Sequence, residues 1–397
     1  MDNLSTNMMA LPTRIDRYPA KMISRLASSL VERYASNAEH LLDPFCGSGA
    51  VLKAGSDRGL RVTGVDLNPF GVLLSGVKVQ GFDVKRANAY LDCLLDAAEG
   101  GPELAIEWDK KGYWFTPATL CKYERIRHAA RQMSLCRSKA GRAVLLAFGL
   151  SVRPCSRADQ RSPKPFISKY ARKNRKGKHF DPGSTARSLL DELSELYGRR
   201  PRHSAEVHQL DLAKDAKLTA VVPPISHVIT SPPYINAQDY FRNSKLELYM
   251  LEGILPFKID DIMCRFIGTE RGLENSVLQG DDSEYRRRLV PELAFLEKHR
   301  KEQAVIVHRY LRDIATAFGN VRSLMQRGGV LVVVCGDNLI GRRRICTWRV
   351  LNQLLVTMGF TLFDSFGDRI RNRAVAPMRC GHKGLIKEEI VSAFRLS

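Results

Sequence analysis

A glycine-rich turn between an apolar run and a helix-compatible segment constrains the fold of this chain most strongly. The turn lies in Glu39–Leu52, which reads EHLLDPFCGSGAVL. A second apolar run, Leu60–Pro69, reaches Asp66 and then ends on a proline suited to open a helix. This order of a strand, a tight loop, a helix, a second strand and an acid predicts the first part of a doubly wound α/β domain.

The turn and the acid also predict a ligand site. Gly47 and Gly49 have no Cβ, so a ligand can approach their backbone closely. Asp66 ends the second strand, where nucleotide-binding folds place the carboxylate that accepts ribose hydroxyls. These features alone fit a site for nicotinamide, flavin, nucleotide or S-adenosylmethionine about equally well.

The strand end Thr230-Ser-Pro-Pro-Tyr234 separates these alternatives. Two successive prolines fix the backbone and leave carbonyls beside a hydroxyl and an aromatic ring. Such a corner suits a flat base with an NH2 group, which could donate to Ser231 and to the Pro232 carbonyl while the ring stacks on Tyr234. The alternative is an ordinary Pro-Pro loop, which we weigh less because the corner follows a strand and two ligand motifs.

Asp43-Pro-Phe-Cys-Gly-Ser-Gly49 together with Thr230–Tyr234 resembles the amino-methylating DNA methyltransferases, cytosine-N4 and adenine-N6. Tyr18-Pro-Ala-Lys-Met22 is similar to the N-terminal cofactor motif of the cytosine-N4 members, and Asp239–Glu247 to the helix after their catalytic loop. The resemblance covers roughly residues 13–80 and 205–250. It implies a Rossmann-like class I fold with a doubly wound seven-stranded sheet, helical and basic insertions, and S-adenosylmethionine as cofactor.

The resemblance also implies site residues. Phe45, Gly47 and Gly49 would contact the methionine part of the cofactor and Asp66 its ribose, while Asp211 would accept from its adenine amine. Lys21 and Ser48 would help at the carboxylate end. The full cofactor set is Lys21, Asp43, Phe45, Gly47, Ser48, Gly49, Asp66 and Asp211, and the catalytic set is Ser231, Pro232, Pro233 and Tyr234. Two departures are Ala50, where relatives often have Thr, and the unusually long interval before Asp211.

The target amine is predicted to be cytosine N4. A serine at the first position of the Pro-Pro-Tyr corner resembles the cytosine-N4 branch, and adenine-N6 stays open. Cytosine-C5 chemistry needs a cysteine nucleophile, and Pro154-Cys155 does not follow a strand. An RNA base methyltransferase and a catalytically silent nucleic-acid-binding protein also remain as alternatives.

The motif spacing predicts long insertions. Asp211 follows Asp66 by 145 positions, whereas a βαβ step needs about 30 residues. We expect the first half of the core, with the N-terminal motif, at residues 1–80. A mostly helical insertion with a role in DNA recognition should follow at 81–204, with a basic stretch at 153–178. The second half of the core should occupy 205–397, with its own insertion at about 255–300.

Periodicity predicts where helices and strands lie within this frame. Arg153 to Lys178 lacks helical spacing, and the tail beyond Phe363 is only loosely assignable. The helical patterns are Leu120–Leu150, Ser188–Tyr197, Asp239–Leu251 and Pro291–Phe318, and the later strands are Gly328–Gly336 and Phe360–Phe363.

Charge indicates a polyanionic partner. The net charge is +20, and residues 153–178 hold ten Lys or Arg against the single acid Asp159. Phosphate contacts by such cations supply most non-specific nucleic-acid affinity. Double-stranded DNA is the predicted partner, a cognate restriction endonuclease is a candidate one, and a merely soluble basic protein is the alternative. The basic stretch is either a solvated tail or a loop that clamps DNA.

Metal and membrane sites are not predicted. The nine cysteines form no CxxC pair, and Cys380 with His382 supplies only two ligands. No stretch approaches the roughly 18 apolar residues of a membrane span, and a signal peptide pattern is missing. We therefore expect a cytoplasmic protein with no membrane contact and no metal.

Overall fold

A computed structural model describes most of the chain. The described residues are 15, 22–160, 164–175, 180–198, 203–214, 218–235, 240–273, 283–369 and 388–397. Lys21, most of the Tyr18–Met22 motif, Asp239, Cys380 and His382 lie outside them.

The described residues form nine strands and sixteen α-helices. In chain order the strands are β1 (His40–Asp43), β2 (Arg61–Asp66), β3 (Ala205–Gln209), β4 (Ile225–Thr230), β5 (Met325–Gly336), β6 (Asn338–Ile340), β7 (Arg343–Ile345), β8 (Phe360–Arg369) and β9 (Glu388–Leu396). The helices are α1 (Ser24–Tyr34), α2 (Ala50–Asp57), α3 (Pro69–Gln80), α4 (Val84–Ala98), α5 (Lys111–Trp114), α6 (Pro117–Gln132), α7 (Lys139–Cys155), α8 (Lys169–Arg175), α9 (Pro182–Tyr197), α10 (Leu218–Val221), α11 (Tyr240–Leu251), α12 (Ile259–Ile262), α13 (Ser283–Leu289), α14 (Glu292–His299), α15 (Lys301–Leu324) and α16 (Thr347–Thr357).

Seven strands form one sheet in the order β3-β2-β1-β4-β5-β9-β8, and β6 with β7 forms a separate hairpin. The strands from β3 to β5 run parallel, whereas β9 is antiparallel to both β5 and β8. The predicted doubly wound, seven-stranded, Rossmann-like fold is confirmed. Because the strand order reverses beside β1, the carboxyl ends of β1, β2 and β4 open a crevice for a ligand.

The middle of the sheet is apolar on both faces. Leu331 through Cys335 of β5 are each 2% exposed or less, and Leu41 and Leu42 of β1 are fully buried. Near-continuous apolar runs are expected where helices cover both sides of a parallel sheet. The buried frame fixes the strand ends that carry the polar residues.

The first insertion is a helical bundle that shares a core with the sheet's helices. Five consecutive residues of α7, Val144–Phe148, are each 1% exposed or less, so neighbours surround this helix on all sides. Its apolar cluster also includes Phe70 and Leu74 of α3 and Leu248 of α11. The bundle therefore packs directly on the ligand-binding half of the core.

Two secondary-structure predictions were wrong. The segment 153–178 is partly helical, because α7 continues through Pro154 to Cys155 and α8 follows at Lys169–Arg175. Arg153 does not belong to an exposed basic run: it is buried, forms an ion pair with Glu247 at 3.8 Å and donates to the Asn243 carbonyl.

The second error concerns the helix predicted over Pro291–Phe318. It is two helices, α14 and α15, separated at Arg300, whose φ of −148° and ψ of 59° are not helical. The second of them extends to Leu324. Neither glycine nor proline stands at this break, so the sequence gives no signal for it.

Within the described ranges, no helix is long and apolar enough to cross a membrane. The same part of the chain contains no group of three His, Cys, Asp or Glu side chains arranged to hold a metal ion.

Candidate active site

A cavity lies at the carboxyl ends of β1, β2, β3 and β4, where the fold predicts a ligand. Its walls combine the turn after β1 with Asp66, Asp211, Ser231 and Pro233. The two motif regions, 187 positions apart at Asp43 and Thr230, thus meet around a single space.

The glycine-rich turn is fixed by backbone geometry. Gly47 and Gly49 have φ values of 47° and 75°, in the left-handed region that favours glycine. A Cβ on Gly49 would lie 2.8 Å from Cβ of Ser75, so a larger residue would force α3 away. The backbone of this turn therefore approaches the cavity closely, as the sequence predicts.

Asp66 ties the turn to β2. Its Oδ2 accepts a 2.7 Å hydrogen bond from the Gly47 N–H, and its Oδ1 accepts one of 2.8 Å from the Asn68 N–H. Burial raises the pKa of Asp66 to about 6, and the backbone donors oppose this rise. A carboxylate at the cavity wall, already oriented by two N–H groups, can accept further hydroxyl donors.

Asp43 links the two motifs. Its Oδ1 accepts from the Thr230 hydroxyl at 2.7 Å and from the Phe45 N–H at 3.1 Å. The side chain is 3% exposed, and burial raises its pKa to about 7 against the effect of these donors. Asp43 lines the cavity, but its hydrogen bonds also hold β1 against β4.

Phe45 and Ser48 complete the turn. The Phe45 ring lies edge-on to Phe318, with 6.2 Å between centroids, and the buried Ser48 accepts at its carbonyl from Lys78 Nζ at 2.7 Å. Both residues line the cavity. Lys21 is outside the described residues, but its neighbour Met22 also lines the cavity.

Asp211 enters the cavity from the end of β3. It is 4% exposed, and its Oδ1 accepts from the Ala213 N–H at 3.1 Å. The Leu210 N–H donates to the Asp66 carbonyl at 3.2 Å, which places the two acids on neighbouring strand ends. Leu210 and Leu212 add apolar surface to the same wall.

The Pro-Pro corner is divided between the cavity and the protein interior. Ser231 and Pro233 line the cavity, whereas Pro232 and Tyr234 are not among its lining residues. Tyr234 is 5% exposed, and its hydroxyl donates to Glu389 Oε1 of β9 at 2.6 Å. Burial, and then the negative charge of Glu389, raise the pKa of this phenol.

Residues outside the predicted site set also line the cavity, among them Tyr240, Arg265, Phe266 and Ile267. Tyr240 begins α11 and its hydroxyl accepts from the Tyr234 N–H at 3.4 Å. The resemblance pointed to this helix but not to a role for its first residue. The other three follow α12 in the second insertion, where a polar sequence gives no signal.

Comparison with known proteins gives partial matches. No family model matches the chain. Type II methyltransferase M.MjaII of Methanocaldococcus jannaschii is 29% identical over 102 residues, which is 24% of this chain and 19% of that protein. M.MvaI of Kocuria varians is 28% identical over 142 residues, 32% and 31% of the two chains. M.AvaI of Nostoc is 24% identical over 284 residues, 62% and 56%.

Solved structures align along most of the chain at low similarity. The glycopeptide N-methyltransferase MtfA has a TM-score of 0.30 at 9% identity, with 93% of this chain and 94% of that chain covered. The rRNA methyltransferase aviRa of Streptomyces viridochromogenes has a TM-score of 0.28 at 13% identity, with 98% and 94% covered.

The cavity fits the cofactor S-adenosylmethionine, because it combines the close backbone of the glycine turn, the carboxylates of Asp43, Asp66 and Asp211, and apolar side chains. The sequence matches span 19% to 56% of the length of the curated relatives. Parts of this chain are thus similar in sequence to type II methyltransferases.

Proposed function

We propose that this protein is a site-specific DNA methyltransferase that transfers a methyl group from S-adenosylmethionine to the exocyclic N4 of cytosine. One observation carries the proposal: Ser231 and Pro233 of the corner line the same cavity as the glycine turn and Asp66. A methyl donor held by the turn would therefore lie next to an amine held by the corner.

Cofactor binding would use the turn and the two acids. The Asp66 carboxylate would accept from the ribose hydroxyls, and the buried Asp211 would accept from the adenine amine between Leu210 and Leu212. Gly47 and Gly49 would admit the methionine part beside Phe45. Its charged end would lie toward Ser48 and Lys21.

Base binding would use the corner. A target base rotated out of the duplex would enter the cavity, and its amine would donate to Ser231 and to the Pro232 carbonyl. Tyr234 is buried and does not line the cavity, and its hydroxyl is held by Glu389 at 2.6 Å, so an entering base would have to uncover its ring in order to stack on it. Because both amine protons are engaged, the nitrogen lone pair would point toward the methyl group.

The chemistry is a direct in-line transfer without a covalent enzyme intermediate. The cofactor supplies an electrophilic methyl group on a sulfonium. A nitrogen–carbon bond forms as the carbon–sulfur bond breaks, and the amine then loses a proton to solvent. An uncharged acceptor such as Ser231 suits an amine that stays neutral until the methyl arrives.

Duplex DNA is the proposed substrate, with a cognate restriction endonuclease as a candidate partner. Support comes from the net charge of +20 and from exposed cations of the first insertion, namely Arg157, Lys169, Arg172 and Lys173. Arg157 also donates to the carbonyls of Gly112 and Tyr113, which holds this basic surface on the helical bundle. We assign DNA recognition to the insertion at residues 81–204.

Nucleoside mass spectrometry tests the proposal. Unmethylated plasmid DNA incubated with the protein and S-adenosylmethionine should yield N4-methylcytosine, and the Ser231→Ala variant should yield far less. Detection of N6-methyladenine would assign the enzyme to the adenine-N6 branch, and detection of 5-methylcytosine would overturn the mechanism. Methylation of RNA alone, or cofactor binding without any methylation, would favour the RNA enzyme or the silent binding protein.

A further inference from the structure

One wall of the cavity comes from the second insertion. Arg265, Phe266 and Ile267 line it, and Phe266 and Ile267 are 6% and 7% exposed. The Phe266 ring packs on Phe241 of α11, with 6.5 Å between centroids. This wall therefore lies beside the first turn of α11, whose Tyr240 contacts the backbone of the catalytic corner.

A buried arginine holds this wall in place. Arg309 of α15 is 9% exposed and donates to the carbonyls of Arg271 at 2.6 Å and Gly272 at 3.1 Å, and also to the carbonyl of Cys264. Its Nε lies 3.4 Å from the Asp313 carboxylate. Both ends of the segment 264–272 are thus tied to one rigid helix, which fixes the backbone that carries Arg265.

Arg265 differs from the other arginines of this region. It is half-buried, and among the described residues its guanidinium forms neither a hydrogen bond nor an ion pair. By contrast, Arg271 lies over the Phe241 ring at 5.1 Å. Asp43 and Asp66 line the same cavity, yet neither is within ion-pair distance of Arg265. Arg265 thus lines the cavity with a guanidinium that has no acceptor among the described residues, so an anion that enters the cavity can pair with it.

We propose that Arg265 binds a phosphate that flanks the target nucleotide. The inference rests on the proposed function, because extruding a base brings its own phosphates to the rim of the cavity. A guanidinium offers two parallel N–H donors that match phosphate oxygens. Arg265 directly precedes Phe266, which packs on Phe241 of α11, whereas the cofactor carboxylate is expected near Met22 and Ser48.

The test compares Arg265→Gln, Arg265→Lys and Arg322→Gln, the last at an exposed arginine of α15 that does not line the cavity. With unmethylated plasmid DNA and labelled S-adenosylmethionine, Arg265→Gln should raise KM for DNA about ten-fold or more. The slope of log affinity for DNA against log salt should fall by about one. Arg265→Lys should recover part of the loss, and Arg322→Gln should match the wild type.

Calorimetric titration with S-adenosylmethionine in the absence of DNA tests the alternative that Arg265 binds the cofactor. The affinity of Arg265→Gln for S-adenosylmethionine should equal that of the wild type. A loss of cofactor affinity with an unchanged KM for DNA would assign Arg265 to the cofactor carboxylate, and no change in either would remove it as an anion ligand. Failure of the proposed function looks different, because the wild type itself would then leave DNA unmethylated.

Discussion

The Thr230 hydroxyl donates a 2.7 Å hydrogen bond to the Asp43 carboxylate, joining the end of β4 to the end of β1. Both side chains are buried, and they directly precede the catalytic corner and the glycine turn. Under the proposed function, this contact and the sheet would together set the distance between a bound methyl group and a bound base.

Thr230→Val should destabilise the protein by about 1–3 kcal/mol, because a buried carboxyl group loses its side-chain donor while the volume stays the same. Urea unfolding measures the change in free energy. The same substitution should cost clearly less in an Asp43→Asn background, where the remaining acceptor carries no charge. Equal costs in the two backgrounds would show that the hydrogen bond does not couple these strands.

Asp43 should make stability depend on pH. Burial raises its pKa from 3.8 in the unfolded reference to about 7, so between these values the folded chain holds a proton that the unfolded chain has released. Its contribution to stability falls as pH rises from about 4 to about 7 and is constant above that. Asp43→Asn should flatten the fall in Tm across this range. Asp66 acts in the same direction in both proteins, so their difference isolates Asp43.

Cofactor affinity should weaken as pH falls through about 6. The Asp66 pKa lies near that value, and only the ionised carboxylate offers every lone pair to the ribose hydroxyls. Calorimetric titration with S-adenosylmethionine should show this pH dependence in the wild type. Asp66→Asn should bind more weakly by about 1–3 kcal/mol near pH 8 and without the pH dependence. Unchanged affinity in a folded variant would remove the ribose assignment.

Substitutions in the corner should fail in different ways. Tyr234→Ala would remove the proposed stacking surface, worth about 1–3 kcal/mol, and should raise KM for DNA while sparing cofactor affinity, in protein whose folding is first verified because the ring is also part of the core. Ser231→Ala should lower kcat with little change in binding, because it removes only the orientation of the amine. Glu389→Gln should keep most activity, since its amide oxygen still accepts from the Tyr234 hydroxyl. In a Tyr234→Phe background, Glu389→Ala should cause little further loss, and a full additional loss would show that Glu389 acts elsewhere.

The exposed cations of the first insertion should contribute affinity that does not depend on sequence. Replacing Arg157, Lys169, Arg172 and Lys173 by Gln should lower the slope of log affinity against log salt by up to about 4. The matched control replaces four exposed cations outside the first insertion, Lys298, Lys301, Arg322 and Arg327. Equal slopes for the two variants would mean that DNA does not dock on this surface. A changed recognition sequence would mean that the basic surface reads bases.

Local sequence signals predicted the parts of the fold that depend on local chemistry. The turn needs left-handed backbone at Gly47 and Gly49, which glycine favours, and Asp66 stands at the strand end where ligand-binding acids occur. Both parts of the site could therefore be predicted from single residues. The strand β9 could not be predicted in this way. Its place between β5 and β8 comes from antiparallel pairing with distant strands, which no local pattern in Glu388–Leu396 encodes.

The rest of the site escaped prediction for the same reason. A count of charges treated Arg153 as part of an exposed run, although its acidic partner Glu247 lies 94 positions away. Arg265 follows a short helix in a polar stretch, and the backbone on either side of it is held by Arg309, which lies more than 40 positions away. Pairings across such separations depend on the folded topology rather than on spacing.

The core that α7 shares with α3 and α11 limits how this protein could change its specificity. A recognition domain that is joined to the core only by linkers can be exchanged as a unit. This bundle instead buries Phe70, Leu74 and Leu248, which belong to α3 and α11. Replacing residues 81–204 with a foreign segment would uncover those side chains. If the insertion recognises DNA as proposed, new specificity would therefore be reached by substitutions on the bundle's outer surface more easily than by exchange of the whole insertion.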